Sequence, residues 1–221
     1  AVTGAAMRRL VRVSVPAALE PAVMQAGFLF YTQIITRLGA VPLAAHRTAL
    51  AVESLTFMAG YGFVMAGSAM VGQYLGAGRP DHADLALREC ARLSVLAMSA
   101  LGLVFLAAAG LLVRIFVPSG GSEEVAALAA SCLRIAAIEQ PFMALAMTLG
   151  GGLRGAGDTR TPVVVGLLGV WGVRLPLAWI LAFPLGLGLR GIWITMIVDW
   201  AVRAAIFQHL YRRGRWKEIR L

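Results

Sequence analysis

Charge is what this sequence has least of. Only 14% of its 221 residues are Asp, Glu, Lys or Arg, 59% are hydrophobic, and the mean hydropathy is +0.78. Soluble domains carry about 25% charged residues, so the composition excludes an ordinary soluble domain. Cysteine is nearly absent too. Cys90 falls in a charged connection and Cys132 in an apolar run, so no disulfide framework is expected, and without a CxxC or Cys/His cluster nothing suggests a metal. HExxH, G-x-S-x-G and a His pair near an acid are all missing, so no enzyme and no cofactor are expected, and His46, His82 and His209 read as surface residues. The chain begins AVTGAAMRRL, with neither an initiator Met nor a signal-peptide pattern, and reads as starting partway through a longer protein.

What is present is length of apolar sequence. Six spans, at about 13–36, 43–74, 93–117, 125–151, 162–183 and 191–210, match the roughly 20 residues a helix needs to cross a bilayer. Backbone groups in lipid must be satisfied internally, and period-2 alternation is absent, so the spans are expected as helices of an all-α polytopic membrane protein. The net charge of +9 does not point to nucleic acid, because the basic residues stand at span ends and form no single patch. Thirteen of them (Arg8, Arg9, Arg12; Arg79, Arg88, Arg92; Arg154, Arg160; Arg212, Arg213, Arg215, Lys217, Arg220) fall on one side, against Arg37, Arg47, Arg114 and Arg190 on the other. The positive-inside rule then puts both termini of this segment in the cytoplasm, in a cell membrane. The connection 78–92 alternates apolar and charged residues and reads as an amphipathic helix along the cytoplasmic face.

One stretch repeats. The second span ends GQYLGAGRP and the fourth ends GGLRGAGDTRTP, each with G-x-x-x-G, then Gly-Ala-Gly, charge and proline. Neither a following Gly-Lys-Ser/Thr nor a preceding strand is present, which rules out a phosphate loop. These are turns: Gly76, Gly78, Gly155 and Gly157 end helices, Asp158 caps, and Pro162 opens the next helix.

Ionisable groups inside a bilayer are expensive and face a cavity or a partner. Glu20, Glu53, Glu139, Arg174 and Asp199 lie deep in the spans. Glu20, Glu139 and Arg174 neighbour Pro21, Pro141 and Pro176, where a freed carbonyl beside a carboxylate suits a cation or proton. Glu20 and Glu139 are therefore the expected ion site, with Arg174 tuning them, neutralising one of them or holding an anionic group. Glu53, six residues from Arg47, is expected near the outer surface at an entrance. Asp199 and Arg203 read as a self-contained i, i+4 pair. Met24 and Met143, with Met58, Met65, Met70 and Met147, offer adaptable apolar surface.

LGAVPLAAHRTAL, VESLTFMAGYGF, VGQYLGAGRPDHA and LRGAGDTRTP, in this order and spacing, resemble the carboxy-terminal half of MATE (multidrug and toxic compound extrusion) transporters. The resemblance covers nearly the whole chain. It implies one six-helix lobe of a twelve-helix, two-lobe antiporter, the amino-terminal lobe being absent. Such a protein exports cationic or amphipathic small molecules in exchange for Na+ or H+. Sodium-coupled members carry acids on the first and fourth helices of this lobe, at positions falling near Met24 and Met143, one turn beyond Glu20 and Glu139. The alternatives are a lipid-linked sugar flippase of the same superfamily and a non-transporting helical scaffold.

Overall fold

The structure, a computed structural model, describes residues 21–116 and 122–218. Among these the chain is helical and without strands: α1 is described over 21–36, followed by α2 (Ala40–Gly76), α3 (Pro80–Phe116), α4 (Glu123–Gly155), α5 (Arg160–Ala182) and α6 (Gly188–Arg213). Four of them, α2 to α5, are long and apolar enough to cross a membrane. The helix expected over 78–92 is no separate surface element. With the acidic Asp81 in its first turn, it runs from Pro80 straight into the third span, since nothing between Arg88 and Leu93 breaks an α-helix.

The repeated Gly-Ala-Gly turns adopt one geometry. After α2, Gly78 (φ +69°) donates its N–H to Leu75 O at 3.0 Å and Arg79 donates to Tyr74 O at 2.8 Å. After α4, Gly157 (φ +91°) donates to Arg154 O at 3.0 Å and Asp158 to Leu153 O at 2.9 Å. Both are left-handed caps that satisfy the last carbonyls of a helix. Asp158 Oδ1 then accepts the Thr161 N–H at 2.9 Å, capping α5, which begins at Arg160 with Pro162 in its first turn. Replacing Gly157 by Ala puts a Cβ in the left-handed region, at about 1–2 kcal/mol. A drop of a few degrees in the melting midpoint of detergent-solubilised full-length protein is the expected reading.

Gly76 and Gly155, by contrast, lie inside the last helical turn. Gly155 serves α2–α4 packing: a Cβ there would collide with the Ser68 backbone, and one on Gly151 would sit 2.9 Å from Val64 O. Small residues thus let two backbones approach closely.

The interior is layered. One apolar cluster gathers Tyr31, Ile35, Val52, Phe105, Leu133 and Trp193. Another, toward the Gly78 and Gly157 turns, gathers Val71, Leu87, Leu149, Leu153, Phe207 and Trp216. Buried polar side chains are contributed by α2, α3, α4, α5 and α6. Inside α5, Leu168–Arg174 winds as π-helix. Pro176 follows, lacks an N–H and would clash with the carbonyl of Gly172, and widening the preceding turns accommodates both effects.

Candidate functional site

Helix α6 presents Thr195, Asp199 and Arg203 four residues apart on one buried stripe. Asp199 is fully buried. Its Oδ1 accepts Arg203 Nε at 2.6 Å, and its Oδ2 accepts Arg203 Nη2 at 2.9 Å and Arg174 Nε at 2.7 Å. The expected α6 pair is thus a triad: Arg174, delivered by the π-helical stretch of α5, joins Asp199, and among the described residues it makes no ion pair with Glu139. Gly169 makes room for it, since a Cβ there would run into Arg203 Nε and Asp199 Oδ1. The Arg174 guanidinium also lies 5.7 Å over the Tyr31 ring, whose hydroxyl donates to Ile192 O at 3.0 Å.

On α4 sits Glu139, fully buried midway along a 33-residue helix, with no hydrogen-bond donor on either carboxylate oxygen. Glu53 of α2 is its neighbour, with Arg174 and Asp199 within electrostatic reach. Glu53 therefore does not line an exposed entrance: it is buried at 5% exposure, because α2 begins at Ala40 and turns this face inward. The same rotation takes His46 off the surface and stacks it edge-on between Tyr31 and Trp193, at 6.0 and 5.7 Å. Among the described residues, three buried carboxylates (Glu53, Glu139, Asp199) face two guanidiniums (Arg174, Arg203). Both glutamates only accept hydrogen bonds when ionised, so a shared proton or a cation is what can join them. No group of three or more His, Cys, Asp or Glu side chains converges as a metal site among the described residues.

Other expected residues fall elsewhere. Glu20 lies outside the described residues. The carbonyl that Pro141 frees, that of Ala137, is covered by α3, where it would meet a Cβ on Gly102 at 2.8 Å. Met143 is core, packed with Met98 and Ala144. Met24 lines a cavity of about 220 Å³ below the triad, with Tyr61, Met147, Trp200, Arg203 and Arg154. Cys90 and Cys132 are buried and free. Tyr31, His46, Gln140 and Thr195 belong to the polar layer and were missed in the sequence. Thr195 carried a signal, the four-residue spacing to Asp199 and Arg203, whereas His46 beside Arg47 looks like a loop residue.

The profile of the MatE family matches residues 16–180. The chain is 32% identical over 211 residues to a probable multidrug resistance protein NorM of Thermotoga maritima, covering 96% of this chain and 45% of that one. It is 36% identical over 189 residues to the multidrug resistance protein NorM of Burkholderia vietnamiensis, covering 85% and 41%. The chain thus spans under half the length of these curated relatives. Among solved structures, the inward-facing conformation of a multidrug resistance MATE family transporter of the MOP superfamily superposes with a TM-score of 0.87 at 17% identity, covering 99% of this chain and 50% of that one. A MOP superfamily transporter from Pyrococcus furiosus, described as having a binding pocket of reverse polarity, gives 0.85 at 17% identity, with 99% and 49% covered.

Proposed function

The chain belongs to the MATE family, and on that premise we propose that it forms one six-helix lobe of a twelve-helix secondary antiporter. In this reading the whole protein sits in the cell membrane with both ends of this segment cytoplasmic. It exports cationic or amphipathic small molecules, drugs and toxins among them, against Na+ or H+. The family is one of transporters, not enzymes.

A single observation carries the site assignment: Glu139 is buried in mid-helix with no donor group on either oxygen, and the carboxylate of Glu53 lies within hydrogen-bonding reach of it. An ionised carboxylate so placed is costly until compensated. The proton or sodium ion that compensates it is bound best in the conformation that keeps Glu53 and Glu139 together. Antiport requires just such differential affinity, the ion favouring one state of the lobe and the substrate another. Arg174 and Arg203 set how strongly the site draws a cation, because Asp199 neutralises only one of them. Glu20, four residues before Met24 in the sequence, is the further acid assigned to the same exchange, and Met24 lines the proposed substrate cavity.

Glu139→Gln keeps the shape and removes the charge. In the full-length protein it is expected to abolish efflux driven by either ion gradient, with membrane insertion and yield unchanged. Undiminished efflux would refute the assignment. Running the wild type under a sodium gradient and a proton gradient in turn identifies the coupling ion.

A lipid-linked sugar flippase is favoured by one feature, the presence of Arg154 and Arg203 on the walls of the cavity, where a pyrophosphate would be welcome. Arg154→Gln would then abolish translocation of the anionic lipid and leave drug efflux untouched. The scaffold reading is tested by the same Glu139→Gln protein, which it expects to change in stability alone.

A further inference from the structure

Helices α3 and α6 each pack on α4, and toward the cytoplasmic turns they leave a groove of about 480 Å³ whose floor is α4. Two registers of side chain line it. At the mouth stand Arg88 and Arg92, i and i+4 on one face of α3, and Arg212 at the end of α6. Deeper along the same faces come Val95 and Leu96 of α3, with Leu145 and Leu149 of α4. Arg88 and Arg92 are exposed, and so is Leu96, which continues into the outward apolar face of α3 through Leu103, Leu111 and Ile115. The nearby acids offset little of this charge: Glu89 reaches Arg92 only at 3.7 Å and in solvent, and Asp84 is engaged by Lys217 at 3.3 Å.

We propose that this groove binds an anionic phospholipid, its phosphate held by Arg88, Arg92 and Arg212 and the start of its acyl chains laid over Val95, Leu96, Leu145 and Leu149. The order of chemistries is that of a lipid at a leaflet boundary, with positive charge at headgroup level and bare aliphatic surface beneath. From Arg88 to Leu96 is eight residues of helix, about 12 Å of descent, which carries the contact from the phosphate well into the hydrocarbon. Guanidinium groups bind phosphate oxygens bidentately, and three on one mouth exceed what a zwitterionic headgroup can satisfy. Basic pockets between helices on the cytoplasmic side hold anionic headgroups for this reason. The occupant is a lipid and not free phosphate because the apolar floor, open to the bilayer side, has no counterpart on an inorganic ion.

Native mass spectrometry of the full-length protein with phosphatidylglycerol or phosphatidylcholine of equal chain length tests this. Each arginine strengthens attraction to an anionic lipid by about five-fold; after screening, retention of phosphatidylglycerol about ten-fold above phosphatidylcholine is expected. The variant R88Q/R92Q/R212Q, all at solvent-facing positions, brings the two lipids to parity. Leu145→Trp fills the floor and depletes both adducts. Equal retention of the two lipids by the wild type overturns the proposal. So does a preference that survives in the triple variant, or inorganic phosphate displacing phosphatidylglycerol at equal concentration.

Discussion

Asp199→Asn in the full-length protein is expected to lower the melting midpoint by about 10 °C, the largest effect of any single neutralisation in this lobe. The reason is what remains behind. Asp199 is fully buried and accepts from two arginines at once, so its removal strands two guanidiniums, each still in a dry interior. Breaking a buried ion pair by removing one partner costs roughly 3–5 kcal/mol, and a chain of this size loses about 2–4 °C per kcal/mol. Adding Arg203→Met to Asp199→Asn halves the number of stranded charges and should recover part of the loss. Arg203→Met alone should be mild, because Arg174 still serves Asp199 at 2.7 Å. A fluorescence-detected melt of the four proteins checks the series. A midpoint within 2–3 °C of wild type for Asp199→Asn would mean that the triad is not held as described.

Gly155→Ala and Gly76→Ala occupy the same place in the two copies of the repeated turn, yet they should move stability in opposite directions. A Cβ on Gly155 meets Ser68 O, C and Cα, which are backbone atoms that can move only by pushing α2 off α4. Overpacking of this kind costs about 1–3 kcal/mol, and Gly155→Leu more. Nothing lies within 4 Å of a Cβ on Gly76. There the substitution only removes glycine's unfolded-state freedom, a gain of about 0.5–1 kcal/mol. The same melt, run on both variants, should place them on opposite sides of wild type. If both stabilise, the α2–α4 crossing is looser than the structure has it.

These two cases mark where the sequence was legible. Composition and run length sufficed for helices, because a bilayer leaves the backbone no other choice, and the twin Gly-Ala-Gly segments read as turns because glycine alone enters the left-handed region freely. Spacing also gave Asp199 and Arg203 as one pair on one helix. What it could not give was any pairing between helices. Arg174 lies 25 residues from Asp199 and meets it only through the winding of α5. Glu53 and Glu139 belong to helices whose rotation about their own axes decides whether they face each other or lipid. Gly76 and Gly155 each open a Gly-Ala-Gly four residues after another glycine, and only the spatial neighbour tells which of them is a packing glycine. Glu20, singled out on the same grounds as Glu139, lies outside the described residues.

The π-helical stretch Leu168–Arg174 acts as a gear with one tooth too many. Each residue of an α-helix advances about 100° around the axis. Tightening those turns to α geometry would therefore swing everything on one side of the stretch by about 100° relative to the other. Arg174 would leave Asp199, and Trp171 and Trp179, which frame the outer face of α5 beside Phe30 and Arg37, would part from those neighbours. A change of winding confined to seven residues would thus link the charge balance of the buried layer to the surface of the lobe.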